Sequence, residues 1–218
     1  MPVITAIEKQ KGRPYADVHL DGALAMSLRL DSVAIAGLFV GLELDETRRR
    51  EVEAEDQRLG AVEASLKMVA LGPRSERDLR DRLRRKGFRR AAVDHAVERM
   101  QALGYLDDKA YAKLYVESRL AATPRSRRAL TFELGRKGVD GKIASAAVEE
   151  LSDGDAAYAA AQRRLRAFAS LDRQTFTRRM GTFLASRGFS YGVARTTIER
   201  CWRELGEDGE TDIEEPES

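Results

Sequence analysis

The chain is poor in the residues on which most catalytic and covalent chemistry depends. Its 218 residues hold one cysteine, two histidines, one tryptophan and five prolines, and aromatic residues make up only 6%. A single thiol excludes a disulfide framework and a cysteine-based zinc site, and it fits a reducing cytoplasm. No run nears the ~18 apolar residues of a membrane span. The N-terminus, MPVITAIEKQ, lacks the basic-then-apolar plan of a secretory signal. His19, in a predicted strand, and His95, on a predicted helix, have nothing to pair them. No glycine-rich phosphate loop, HExxH or nucleophile elbow occurs. Asp107-Asp108 reads as helix capping rather than a metal site. These absences point away from an enzyme and imply no metal or cofactor. A soluble cytoplasmic protein with enough chain for a sizeable core is expected.

Charge is what the chain has in abundance. Charged residues are 34% of the total, yet 38 Lys and Arg against 36 Asp and Glu leave a formal net charge of +2. That near-neutrality conceals a strong asymmetry. Residues 1–60 hold eight bases and eleven acids, and the tail 207–218 holds seven acids and no base. The body between them is correspondingly basic, and Arg74 to Arg90 packs nine bases against three acids. Such a distribution suggests a polyanionic or acidic-protein partner, with a solvated helical surface as the bland alternative. The acidic tail could occupy the basic face in cis or act as a solubility segment.

The first 30 residues alternate as a half-buried antiparallel sheet does. Val3, Thr5 and Ile7 precede a KGRP turn, Tyr15 to Leu20 follow, and Leu24, Met26 and Leu28 come at period two after Asp21-Gly22. Asp-Gly between alternating segments is a strong hairpin signal, so a three-stranded meander is expected. Asp31 is expected to cap a short helix running to Val40 and ending at Gly41. Asp45 to Leu71 reads as a long helix with Gly60 as a candidate interruption, and the pattern stays helical to Leu205.

That helical part repeats. PRSERDLRDRLRRKGF at 73–88 aligns without gaps to PRSRRALTFELGRKGV at 124–139, with nine of sixteen positions identical. A looser third copy runs from Met180 to Phe189, and Gly87, Gly138 and Gly188 stand 51 and 50 residues apart. A period near 50 marks tandem supersecondary units that must stack to bury their apolar faces. Ser75 and Ser126 sit where N-caps belong, with Asp78 as a capping-box partner for the first. The pairs Leu79/Leu83 and Leu130/Leu134 share one helix face, and burying each contributes roughly 1.5–3 kcal/mol. Each glycine is then the expected left-handed residue just past a helix end, with Phe88, Val139 or Phe189 packing back. A last helix presents Val97, Met100 and Leu103 to the core, and Cys201 takes the place of Met100 and Leu151 there. Each unit is thus three short helices.

The recurring arginines point outward. Arg77, Arg128 and Arg178 each lie ten residues before their glycine and two before the first apolar anchor, about 200° around the helix. Arg85 and Arg136, two positions after the second leucine, also face away, and Arg74 and Arg125 stand just before the helix starts. Lys86, Lys137 and Arg187 close the helices, where the helix dipole already favours a cation. Arginine in this register suits bidentate contact with phosphate or carboxylate, which lysine does not match. Nothing resembles an aromatic base-stacking platform.

PRSERDLRDRLRRKGF, GYLDDKAYAKLYVESR and RALTFELGRKGV together resemble the RecX family of bacterial regulatory proteins over about Ala61 to Leu205. The third unit departs from the pattern, with Gln174-Thr175-Phe176 where Pro-Arg-Ser is expected. The resemblance implies a curved solenoid of three tandem three-helix repeats lying in the groove of the RecA recombinase–DNA filament. It further implies suppression of filament growth, strand exchange and ATP hydrolysis in recombination and DNA repair. The organisation expected is a β-meander and short helix (1–44), a connecting helix (45–60), repeats at 61–106, 107–151 and 152–206, and an acidic disordered tail (207–218). On this reading the protein is a monomer that binds the filament, and DNA (single-stranded, weakly or through the filament), by way of Arg74, Arg77, Arg85, Lys86, Arg125, Arg128, Arg136, Lys137, Arg178 and Arg187. A stand-alone nucleic-acid-binding protein and a helical adaptor fit the same arginine placement.

Overall fold

A computed structural model describes residues 1–211, with side chains to Gly206. Of the acidic tail expected from 207, the first five residues continue the last helix, and residues 212–218 lie outside the described residues. The chain is mostly helical and divides into two compact units, the first ending at Asp107 and the second beginning at Asp108.

The first unit opens with the meander. Strands β1 (Ile4–Lys9), β2 (Tyr15–Leu20) and β3 (Ala23–Arg29) pair antiparallel in sequence order. The β2–β3 turn places Asp21 and Gly22 at φ of 48° and 84°, the two positive angles that Asp-Gly tolerates. One sheet face buries Ile4, Val18, Met26 and Leu28 against Leu38, Leu44 and Val52. The short helix differs from expectation. Helix α1 (Leu30–Ile35) starts directly off β3, so Asp31 falls in its first turn and Arg29 occupies the cap position without a side-chain cap bond. It ends five residues before Val40 because the chain is needed elsewhere. Residues 41–44 double back along β1, with Ile4 N–H donating to Leu42 O, Gly41 N–H to Ile4 O and Leu44 N–H to Pro2 O.

Helix α2 (Glu46–Val69) is continuous across Gly60, capped by the Asp45 carboxylate at Arg48 N–H. The glycine is not a break but a clearance. Asp56, buried on α2, accepts from Arg29 N–H and from the Ser32 hydroxyl through one carboxylate oxygen. Its other oxygen takes the Arg29 Nη1 at 2.9 Å. The guanidinium then lies across Gly60 so closely that a Cβ there would stand 1.9 Å from it. One helix therefore carries the sheet on its first half and the first helix of repeat one on its second. Helices α3 (Glu76–Arg85) and α4 (Arg90–Ala102) complete that repeat. Leu79, Leu83, Val93, Val97 and Met100 are fully buried, with Ala61 and Met68 of α2 packed against them. Leu103 is 43% exposed, contrary to its expected place on the core face. It caps α4 instead, where Gly104 at φ 72° turns the chain away.

The second unit holds repeat two, α5 (Asp108–Ala122), α6 (Arg127–Arg136) and α7 (Gly141–Ala147), and repeat three, α8 (Asp153–Phe168), α9 (Arg173–Ser186) and α10 (Tyr191–Thr211). Ser75 and Ser126 cap α3 and α6, accepting from Asp78 N–H and Ala129 N–H. Repeat three solves the same problem differently. Asp172 caps α9 one turn earlier, accepting from Gln174 and Thr175 N–H. The position of the capping serine is then filled by Phe176, fully buried with its ring centroid 5.2 Å from that of Trp202.

All three middle helices close alike. Gly87, Gly138 and Gly188 adopt φ of 88°, 88° and 85°, and the next residue donates its N–H to Leu83, Leu134 or Leu184 O. This six-to-one bond is the Schellman closure. Repeats two and three are joined through it. Ser126 N–H donates to Arg187 O at 3.2 Å and Ser126 Oγ to Gly188 O at 2.8 Å.

Four glycine substitutions test these constraints. Alanine at an ordinary helix-interior glycine adds about 1 kcal/mol of stability. Gly60→Ala should instead destabilise the first unit by about 1–2 kcal/mol, because Arg29 must leave a buried Asp56. Urea unfolding reads the sign, and a gain would refute the clearance. Gly87→Ala and Gly138→Ala meet open space and should cost about 1–2 kcal/mol of left-handed strain. Gly188→Ala should cost at least about 1 kcal/mol more, since its Cβ would stand 2.7 Å from Ser126 Oγ and 2.8 Å from Ala129 Cβ.

Candidate anion-binding surfaces

The predicted arginine ladder is exposed at all three positions. Arg77 lies on α3, Arg128 on α6 and Arg178 on α9. Arg77 has a distant partner in Asp81, with Nε 3.9 Å from the carboxylate. Arg128 and Arg178 ion-pair with no carboxylate among the described residues. Arg85, Lys86, Arg136 and Lys137 are exposed too, and Arg85 Nε donates to Asp81 O of its own helix.

Arg74 and Arg125 turn inward instead. Arg74 donates Nε to Met68 O at the end of α2 and Nη1 to Asp78 at 3.1 Å, leaving its side chain 19% exposed. The Asp78 carboxylate also accepts from Arg82 Nε. Burial pushes the Asp78 carboxyl up, but the two guanidiniums outweigh it and hold the group below its ordinary range. Arg125 Nε stands 3.1 Å from Glu133, which also takes Arg119 Nε at 3.1 Å and the Tyr115 hydroxyl at 2.6 Å. Burial first, then Glu133, raises the Tyr115 phenol, which stays a proton donor to that carboxylate.

The structure gathers cations into two grooves. In the first unit a groove of about 880 Å³ brings Arg74, Arg85 and Lys86 together with Arg29, Lys67 and Arg82, against Asp31 and Glu63. Tyr15 of β2 and Phe88 also line it, so the sheet forms one wall. In the second unit a groove of about 910 Å³ between α9 and α10 holds Arg178 beside Arg173, Arg195 and Arg203. Thr177, Gly181 and Ala185 recur every four residues on α9 and keep its floor low. Tyr191, 83% exposed, stands at its edge. Arg77, Arg128, Arg136 and Lys137 line neither groove. The four-residue spacing of Arg195, Glu199 and Arg203 would have revealed one wall from the sequence. Nothing local could have revealed Arg29, whose place depends on the docking of the sheet.

Other chemistry is scarce. Burial pushes the Cys201 thiol up to about 11, as suits a core residue. Among the described residues no group of three or more His, Cys, Asp or Glu side chains could hold a metal, and no helix is long and apolar enough to cross a membrane.

This architecture has known counterparts. Family models for the first, second and third three-helix domains of RecX match residues 61–100, 107–148 and 153–198. The chain belongs to the RecX family. The regulatory protein RecX of Amycolatopsis mediterranei (strain U-32) is 35% identical over 159 residues, spanning 72% of this chain and 91% of that protein. That of Lactobacillus delbrueckii subsp. bulgaricus (strain ATCC 11842) is 28% identical over 215 residues, 96% of this chain and 79% of the relative, so most of the sheet module is included. A crystal structure of regulatory protein RecX has a TM-score of 0.63 at 21% identity, over 91% of this chain and all of the other. RecX from Lactobacillus salivarius gives 0.60 at 20% identity, over 67% and 97%. These two likenesses concern the fold.

The Arg74–Asp78–Arg82 triad of this RecX-family chain predicts a pH signature. A folded carboxyl held below its ordinary value of 3.8 stabilises the protein above that pH and loses the effect as pH falls through the lowered value. Asp78→Asn should therefore be less stable than the parent at pH 7, with the difference closing under acid. A difference that persisted unchanged to pH 2.5 in urea titrations would argue against the triad.

Proposed function

We propose that this chain binds the RecA recombinase–DNA filament and restrains it, lowering filament assembly, strand exchange and ATP hydrolysis during recombination and DNA repair. The observation that carries this reading is the arginine ten residues before each closing glycine, exposed in all three repeats of a RecX-family chain. Its relatives are named regulatory proteins. A guanidinium held at one structural position in successive repeats offers a repeating surface to a repeating partner. Acidic protein side chains and DNA phosphates both fit its planar fork. The protein acts in the cytoplasm as a monomer, without catalysis of its own. The three helix closures share one local geometry, and Lys86, Lys137 and Arg187 at those closures add positive charge.

A second reading is direct binding to single-stranded DNA. The exposed Tyr191 beside four arginines in the α9–α10 groove favours it, because a ring flanked by guanidiniums accepts an unstacked base without sequence preference.

The deciding measurement is the DNA-dependent ATPase of the cognate recombinase, titrated with this protein at substoichiometric ratios. Inhibition is expected well below one protein per recombinase subunit. Replacing Arg77, Arg128 and Arg178 together by Glu should abolish it while stability changes little, since each is a solvent-facing side chain. Full inhibition by the folded triple variant would remove the basis for the reading. If ~6 phosphates are neutralised on free single-stranded DNA, log K should fall with log salt at a slope of about −4.

A further inference from the structure

The junction of repeats two and three holds an electrostatic arrangement that the fold does not need. The connection from α5 to α6 lies against the end of α9, locked there by the two Ser126 bonds to Arg187 O and Gly188 O. Arg187 Cζ sits 3.8 Å above the centroid of the Phe183 ring, and Arg164 Cζ, from α8, lies 5.5 Å from the same centroid. Arg125, on the connection next to Ser126, adds its positive charge to the surroundings of Arg187. Two cations on one ring attract the ring and repel each other.

No acid resolves this repulsion among the described residues. Arg187 and Arg164 make no ion pair there, and Arg187 has only a long 3.5 Å contact to Ser186 Oγ. Glu133 is the carboxylate of the neighbourhood, and it already serves Arg119, Arg125 and Tyr115. Arg163 is committed elsewhere, to the Ala121 and Ala122 carbonyls at the end of α5. Burial first, and then Arg125 and Arg164, hold the Arg187 guanidinium below its ordinary pKa. It nonetheless stays charged, as arginine does throughout the accessible pH range. On the connection, Thr123 Oγ1 is a buried polar atom without a hydrogen-bond partner, whereas Arg125 Nε stands 3.1 Å from Glu133. Two guanidiniums on one ring, with no carboxylate to neutralise either among the described residues, are the complement of an absent anion.

We infer that Arg164 and Arg187, with Arg125 beside them, form an oxyanion site at the repeat-two/repeat-three junction, and that its ligand is a phosphate group. A carboxylate presents two oxygens in one plane and satisfies a single fork. A phosphate presents its oxygens tetrahedrally and can accept from several guanidiniums at once. The phosphate belongs either to a nucleic-acid strand or to a free phosphate or nucleotide. The strand alternative deepens the reading that this protein works on a DNA-bearing filament, whereas the site itself stands without the recombinase.

The test uses the full chain and inorganic phosphate, followed through the arginine Nε–H signals by nuclear magnetic resonance. Phosphate should shift the Arg187 and Arg164 signals saturably, beyond a chloride control of equal ionic strength. Arg164→Gln, at an exposed side chain, should weaken the response at least fivefold in a folded protein, and Arg187→Gln should remove it. A second arm measures oligothymidine binding against salt. If the site takes a strand phosphate, Arg187→Gln should make the log K against log salt slope shallower by about 0.7. Saturable phosphate binding with an unchanged slope supports the site and assigns it to free phosphate or nucleotide. No phosphate response beyond chloride, or an equal response in Arg164→Gln, overturns it. Neither arm contains the recombinase, so loss of ATPase inhibition and loss of phosphate binding are read separately.

Discussion

The left-handed turn at Gly87, Gly138 and Gly188 is the constraint on which the helical repeats depend. Each time, the middle helix ends on a basic residue, the glycine reverses the chain, and the next N–H returns to the carbonyl of the second core leucine. That bond satisfies a carbonyl that would otherwise be stranded at the helix end. It also fixes where Phe88, Val139 and Phe189 meet the core and the direction in which the following helix departs. The leucine stripe can be buried only because the last helix comes back over it. Variation elsewhere is tolerated, as in repeat three, where an extra helical turn and Phe176 replace the serine-capped start.

Much of this architecture is legible in the sequence alone, for physical reasons. The meander was readable because Asp21-Gly22 separates segments of period two. The repeats were readable because glycine, leucine and serine recur at positions where backbone geometry, burial and capping each demand a narrow choice. The outward direction of Arg77, Arg128 and Arg178 followed from helix periodicity alone. All of these are local rules, satisfied within one or two turns of chain.

What escaped was decided by contacts distant in sequence. Asp31 has the look of a cap, but α1 begins directly after the last residue of β3, and residues 41–44 are drawn away to cover β1. Leu103 carried the right spacing for the core, yet the helix ended on it. Arg74 and Arg125 stand at equivalent positions outside their helices, and each was captured by a carboxylate of its own repeat, Asp78 or Glu133. The first groove is beyond local reasoning altogether, because Arg29 enters it only through the Asp56 anchor and the clearance at Gly60. The same lesson applies to charge. A sum of +2 says nothing about Glu133, whose single carboxylate serves two guanidiniums and a phenol while Arg187 goes without.

The continuity of α2 has a mechanical consequence. Its 24 residues make a rod about 36 Å long that belongs at one end to the sheet and at the other to the first repeat. Gly60, the residue that would let such a rod bend, is pinned under the Arg29 guanidinium. Load applied at the sheet is therefore transmitted along the axis to α3 and α4 as torque. The sheet module is a handle on the first repeat, rigidly fitted rather than hung from a tether.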